Sequence, residues 1–320
     1  MEKIQHRRVA VNGINMHIAE IGEGSPVLLL HGWPELWYSW RHQLLYLSSH
    51  NYRAIAPDLR GFGDTDAPPS AASYTAFHVV GDLVALLDNL GIDQVFLVGH
   101  DWGAIIAWYF CLFRPDRIKA LVNLSVVFMP RNPKIKPIQG LRLAFGDDFY
   151  ICRFQEPGVA EEEFATVDTA RLIKKILTSH NPRPPIIPRG GWAAPPNDPI
   201  AFPSWLSEDD VNYFAEKFKQ TGFTGGLNYY RALDLNWELS APWTGAQIKV
   251  PVKFIVGDQD PCISFPGVKA YLEDGGFASD VPLLQDVVVI EGAGHFINQE
   301  KAEEISRHVL DFFQNFSSIT

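Results

Sequence analysis

The apolar positions of this chain fall into short runs, most of them followed by a longer stretch of helical period. Near the start, residues 8–10 and 14–20 flank Asn12-Gly13, a pair that favours a two-residue hairpin turn. Runs at 27–30 (V-L-L-L), 53–57, 95–98 (V-F-L-V) and 120–127 are too short for helices. Continuous apolar runs of this length fit strands buried on both faces. Helical periods cover 36–47 and 74–90, the second stopping at Gly91. The segment after residue 103, A-I-I-A-W-Y-F-C-L-F, is apolar nearly all round and predicts a buried helix. At Phe128 the alternation stops. From there to about Trp243 only helical patches are visible, at 161–178, 207–220 and 227–235, with a proline-rich stretch over 181–203. Strand patterns return at 250–260 and 286–290, and a last helix is predicted over 301–313. A meander followed by alternating strands and helices predicts an α/β fold, a mostly parallel sheet of eight strands with helices on both faces. The sheet domain comprises 1–128 and 244–320, and a mainly helical insertion over 129–243 interrupts it.

The run 95–98 leads directly into Gly99-His100-Asp101-Trp102-Gly103. A strand, a tight Gly-x-Asp-x-Gly turn and a buried helix form the setting of a nucleophile elbow, whose glycines let the backbone lift the central residue clear of the sheet. Here that residue is Asp101. A carboxylate is ionised at neutral pH and can displace a leaving group from a saturated carbon, forming an ester on the protein itself. The same turn also allows Asp101 to be only the N-cap of the following helix, so its partners decide. Partners of such a nucleophile lie at the carboxyl ends of strands, in the order nucleophile, acid, base. Asp258 and Asp260 follow the strand predicted to end at Gly257, and His295 follows 287–290 in a Gly-Ala-Gly-His turn. Asp260 is preferred as the acid, because Asp258, next to Gly257, suits a turn or a cap. An oxyanion site needs two backbone N–H groups. One comes from Trp102, after the nucleophile, and the other from His31-Gly32-Trp33-Pro34, with Trp33 as donor.

Composition narrows the setting. A chain of 320 residues, 47% hydrophobic and 20% charged, has room for a large buried core. A net charge of −10 argues against nucleic acid and against an anionic membrane surface as partners. Three widely spaced cysteines, Cys111, Cys152 and Cys262, make neither a disulfide framework nor a zinc motif, and a reducing compartment fits them. The opening M-E-K-I-Q-H-R-R-V has no apolar signal region, and no window reads as a membrane span. A cytoplasmic protein without membrane insertion is expected, in which the sequons at Asn123 and Asn315 carry no glycan.

H-G-W-P-E (31–35), D-L-R-G-F-G-D (58–64), G-H-D-W-G (99–103) and Gly294-His295 together resemble the soluble epoxide hydrolases of the α/β-hydrolase superfamily, the plant members above all. The likeness runs through nearly the whole chain. Within the insertion, F-Y-I-C-R-F-Q-E-P-G (149–158) and G-F-T-G-G-L-N-Y-Y-R (222–231) resemble the motifs that carry the family's paired tyrosines. This match puts the pair at Tyr150 and Tyr230, with Tyr229 where the family has a second aromatic.

The resemblance implies an α/β-hydrolase core under a helical cap, no metal or cofactor, and hydrolysis of epoxides to vicinal diols. Asp101 would attack a ring carbon, and His295, held by Asp260, would then activate water. Tyr150 and Tyr230 would hydrogen-bond the opening oxygen, a task suited to phenols, whose pKa of about 10 keeps them protonated. Glu35 matches the family's glutamate that orders water near the histidine, and an exposed helix-start acid is its plain alternative. Trp33, Trp102, Tyr229 and Phe296 are expected to line an apolar pocket for fatty-acid epoxides and aryl epoxides. The H-G-x-P and G-H-D-W-G motifs are shared with haloalkane dehalogenases, so a haloalkane or haloacid dehalogenase is the alternative activity. A non-catalytic small-molecule receptor is the binding-module alternative. A monomer or weak homodimer is expected.

Overall fold

The computed structural model describes residues 3–192 and 199–317, so part of the proline-rich stretch lies outside the described residues. Strands β1 (Gln5–Val11) and β2 (Ile14–Ile21) form the opening hairpin, with Asn12 and Gly13 at φ 41° and 81° as its turn demands. They are followed by β3 (Ser25–Leu30), β4 (Tyr52–Pro57), β5 (Val95–His100), β6 (Ile118–Leu124), β7 (Val252–Gly257) and β8 (Leu284–Ile290). The sheet order is β1-β2-β4-β3-β5-β6-β7-β8. Only the pairings of β2 with β1 and with β4 are antiparallel.

The short apolar runs are strands because each must feed two cores at once. Pleating sends Leu28, Leu30, Ile55, Val95, Leu97, Leu121 and Phe254 to one face of the sheet. Val27, Leu29, Ala54, Phe96, Val98, Val122 and Ile255 go to the other. Helices Ala76–Asn89 and Trp102–Phe113 cover the first face, through Val79, Leu83, Ile106 and Phe110 among others. Helices Arg41–Ser48 and Ala302–Gln314 cover the second, through Leu44, Leu47, Ile305 and Phe313. Each such buried side chain contributes about 1.5–3 kcal/mol of transfer free energy.

Between β6 and β7 lie the helices Pro137–Phe145, Tyr150–Arg153, Val159–Ala165, Thr169–Leu177, Glu208–Thr221, Thr224–Arg231 and Leu233–Leu239. Several boundaries differ from the sequence pattern. The helix predicted over 161–178 is two, because Asp168 caps a new start, accepting from Arg171 N–H at 2.9 Å. The patch at 227–235 is likewise divided at Ala232, between Thr224–Arg231 and Leu233–Leu239. The helix predicted over 36–47 opens as a 3₁₀ turn, Trp37–Trp40. Strand β6 ends at Leu124, because Ser125 at φ 70° turns the chain. No helix among the described residues is long and apolar enough to cross a membrane. All three cysteines are free, and Asn123 is fully buried within β6, out of reach of any glycan.

Candidate active site

Strand β5 ends at His100 and the helix Trp102–Phe113 starts two residues later. Asp101 between them has φ 53° and ψ −119°, a conformation that costs a residue with a Cβ about 1–3 kcal/mol. Crowding explains the glycines around it. A Cβ at Gly103 would sit 2.0 Å from the Leu30 carbonyl oxygen, and one at Gly32 would sit 2.3 Å from the Asp101 Cβ. The Asp101 carboxylate makes no cap bond to its own helix. Its Oδ1 instead accepts from Trp33 N–H at 2.7 Å, and its Oδ2 lies 3.4 Å from His295 Nε2. The N-cap reading is thereby excluded.

The ends of β7 and β8 supply the other two groups. His295 Nδ1 lies 3.0 and 3.1 Å from the two oxygens of Asp260, which is fully buried and also accepts from Cys262 N–H at 2.9 Å. Asp258 has the turn role its position implied, accepting from Gly292 N–H at 2.8 Å. Burial works against a charge on His295, but Asp260 and Asp101 outweigh it and hold the imidazole pKa well above its ordinary value. Burial would likewise raise the Asp260 carboxyl, and the charge and hydrogen bond of His295 bring it below the usual range.

Two phenols face this triad from the helical segment. Tyr150 opens the helix Tyr150–Arg153 and Tyr230 lies near the end of Thr224–Arg231. Gln155 Nε2 ties the two together, donating to Ile151 O at 2.9 Å and Tyr230 O at 3.1 Å, and Arg231 Nε donates to Phe154 O at 2.9 Å. The two rings meet edge-on at 5.9 Å, and Tyr230 stands edge-on to Trp102 at 5.0 Å and to Trp33 at 5.9 Å. Burial raises both phenols well above their ordinary pKa, and the Asp101 charge adds to it. Both are therefore proton donors throughout the neutral range. Between them and the triad lies a cavity of about 230 Å³. Trp33, Asp101, Tyr150, Tyr230, His295 and Phe296 line it, as do Lys175 and Arg183. A larger, open cleft of about 660 Å³ is lined by His6, His17, Trp37 and Lys217 among others. Its one lining carboxylate, Asp64, is paired with Lys217 Nζ at 2.6 Å, and Asp58 beside His17 is 1% exposed and accepts from the N–H groups of Trp37 and Asp64.

Comparison with known proteins places the chain in a family. Residues 25–302 match the family described as the alpha/beta hydrolase fold. Epoxide hydrolase 1 of Siraitia grosvenorii is 69% identical over 316 residues, 99% of this chain and 100% of the relative. Epoxide hydrolase A of Mycobacterium tuberculosis is 38% identical over 96% of each chain. A crystal structure of an epoxide hydrolase from Vigna radiata superposes with a TM-score of 0.94 at 60% identity, covering 99% of both chains. The chain belongs to the epoxide hydrolases.

In this epoxide hydrolase three of the expected site residues, Tyr229, Trp102 and Glu35, lie outside the cavity lining. Tyr229 is fully buried and outside the cavity lining. Its hydroxyl donates to Arg60 O at 3.0 Å and its ring packs on Phe62 and Tyr74, so it anchors the Tyr230 helix to the 58–64 loop. The Trp102 ring, 3% exposed, stands behind Tyr230 as a support and does not face the cavity. Glu35 is fully buried, so it is not the exposed helix-start acid, and it is not part of the cavity lining. Its Oε2 accepts from Gly32 N–H at 3.0 Å and from His100 Nδ1 at 2.6 Å, and its Oε1 accepts from Gln299 Nε2 at 3.3 Å. Burial opposes its charge, but His100 prevails and holds the carboxyl at about 2. His100, to which sequence reasoning gave no role, donates from Nε2 to His295 O at 2.7 Å. Glu35 and His100 thus join the 31–35 loop to the backbone of His295. The available signal was a histidine at the end of an otherwise apolar strand, directly before Asp101.

Proposed function

We propose that this chain hydrolyses epoxides to vicinal diols through an alkyl ester on Asp101. One observation carries the reading: Asp101 has one oxygen on the Trp33 N–H and the other facing His295, with two protonated phenols across a largely apolar cavity. Oδ2 attacks a ring carbon, the carbon–oxygen bond of the ring breaks, and Tyr150 and Tyr230 donate to the oxygen as it becomes an alkoxide. Ester formation removes the Asp101 charge, one of the two that hold His295 protonated, and the proton the imidazole then gives up balances the one the alkoxide gains. Neutral His295, oriented by Asp260, takes a proton from water, and the hydroxide attacks the ester carbonyl carbon. The N–H groups of Trp33 and Trp102 stabilise the oxyanion on Oδ1, a task in which losing one donor costs about 10²–10³ in kcat.

The cavity walls of Trp33, Phe296, Trp192 and Phe265 support fatty-acid epoxides and aryl epoxides such as styrene oxide as substrates. The dehalogenase alternative would leave both phenols idle. We take 129–243 as the cap, the cytoplasm as the compartment on the strength of three free cysteines, and the assembly as a monomer or weak homodimer. The deciding experiment is a single turnover in ¹⁸O-labelled water. The first diol should carry an unlabelled oxygen from Asp101, while the label enters the protein. Label in that first diol would mean direct attack by water and would overturn the scheme. His295→Gln should form the ester and accumulate it, and Asp101→Ala should form none.

A further inference from the structure

Asp260, Cys262 and His295 each present one ligand atom, and the three atoms lie within 4.8 Å of one another. Cys262 Sγ is 3.9 Å from His295 Nδ1, which is 3.0 and 3.1 Å from the Asp260 oxygens. A tetrahedral zinc ion, with Zn–S of about 2.3 Å and Zn–N of about 2.0–2.1 Å, sets its sulfur and nitrogen about 3.6 Å apart. The Cys262–His295 spacing therefore needs a shift of only a few tenths of an ångström. Thiolate, imidazole and carboxylate are the three ligand types that zinc accepts in proteins. Cys262 and His295 both line the cavity, which gives an ion its way in, and Asp260 closes the site from behind. The epoxide chemistry leaves the thiol without a task. Burial and the Asp260 charge push it up to about 12, so the free thiol is un-ionised and inert toward epoxides.

We propose that Asp260, Cys262 and His295 form an inhibitory site for a thiophilic divalent cation such as Zn²⁺, which arrests the enzyme at the ester stage. Binding forms bonds from the ion to Sγ, Nδ1 and an Asp260 oxygen, and releases two protons to solvent, one from the thiol and one from Nδ1. The imidazole is left neutral with its proton on Nε2. An Nε2–H can donate but cannot take a proton from water, so the second half-reaction stops. Asp101, outside the ligand set, keeps its charge and still attacks the ring, and the alkoxide takes its proton from solvent by way of the two phenols instead of from His295. The site itself stands on geometry alone, whereas the stage of arrest rests on the ester reading above.

Two measurements on the full chain test this. The first is titration with Co²⁺, followed through the ultraviolet thiolate-to-cobalt charge-transfer absorbance. Wild type should develop the band with one equivalent bound, and Cys262→Val should not. The second is Zn²⁺ inhibition of styrene oxide turnover, each variant referred to its own metal-free rate, with the protein mass read after acid quench. Wild type should lose turnover while gaining the mass of one substrate. Cys262→Val should need about tenfold more Zn²⁺ or beyond, since even disturbing the groups behind a ligand costs 10–100-fold in affinity. Equal inhibition of both proteins, or a cobalt spectrum without the thiolate band, would overturn the site. Inhibition without the mass gain would overturn the arrest at the ester. A metal-free wild type that makes no diol would overturn the functional reading, and the cobalt titration would still decide the site.

Discussion

Phenylalanine at Tyr229 and at Tyr230, neighbours on one helix, should produce opposite failures. Tyr229→Phe removes a buried hydroxyl that donates to Arg60 O at 3.0 Å, while its ring contacts with Phe62, Tyr74 and Trp102 survive. A buried carbonyl left without its donor costs about 1–3 kcal/mol, which appears as a fall of several degrees in Tm. The seat of Tyr230 is also fixed by Gln155 and by the closeness of Gly225 to Gly61, where a Cβ would lie 2.7 Å from the Gly61 Cα. Ester formation in Tyr229→Phe should therefore slow by no more than about threefold, an effect below 1 kcal/mol. Tyr230→Phe should leave the fold intact and remove a donor to a developing alkoxide. Hydrogen bonds to charged groups are worth about 1.5–3 kcal/mol, so ester formation should slow by about 10- to 150-fold. Stopped-flow tryptophan fluorescence, with Trp33 and Trp102 as reporters, measures the ester step, and urea or thermal unfolding measures stability. Tyr229→Phe slowing ester formation as much as Tyr230→Phe, with its stability unchanged, would refute this division of labour.

Other perturbations follow from the same contacts. Gly32→Ala would bring a methyl within 2.4 Å of Asp101 Oδ1, so the oxyanion loop or the nucleophile must move, and kcat should fall about 10²–10³-fold. A folded Gly32→Ala with normal kcat would contradict that placement. The Glu35 carboxyl titrates at about 2 in the folded protein against 4.5 ordinarily, a difference worth about 3 kcal/mol. Because the folded pKa is the lower one, this stability is present above pH 4.5 and is lost as pH falls toward 2. The advantage of wild type over Glu35→Gln should accordingly shrink between pH 6 and 3.5, by about 1.4 kcal/mol in urea unfolding. A difference that does not change with pH would show that the Glu35 charge is not what its partners stabilise.

The middle of the sheet was legible because its central strands are buried on both faces, which leaves runs such as Val95 to Val98 without a polar residue. The juxtaposition of Asp101, Asp260 and His295 was legible because glycines and chain order constrain these positions from outside their own chemistry. Element boundaries inside the insertion were not. Helical period continues across Thr166-Val167-Asp168, and only the cap bond of Asp168 shows that a new helix starts there. Tyr229 was misplaced for a related reason. On an α-helix, successive residues are about 100° apart, so of two adjacent tyrosines only one can face the cavity, and with Tyr230 matched to that place Tyr229 had to point away. Glu35 shows a third limit, since a sequence displays a carboxylate but not whether Gly32, His100 and Gln299 will close around it.

The placement of β7 and β8 has a consequence for how the protein comes into being. Asp101, Trp33, Tyr150 and Tyr230 all precede residue 250, whereas Asp260 and His295 arrive with the last two strands added to one edge of the sheet. Synthesis is vectorial and the N-terminal part forms first. On the proposed ester scheme, a chain halted before β7 would carry the attacking carboxylate and both phenols but no base, so an epoxide would alkylate it once and nothing would set it free. On that scheme, docking of the final two strands turns a single-use scavenger into a catalyst.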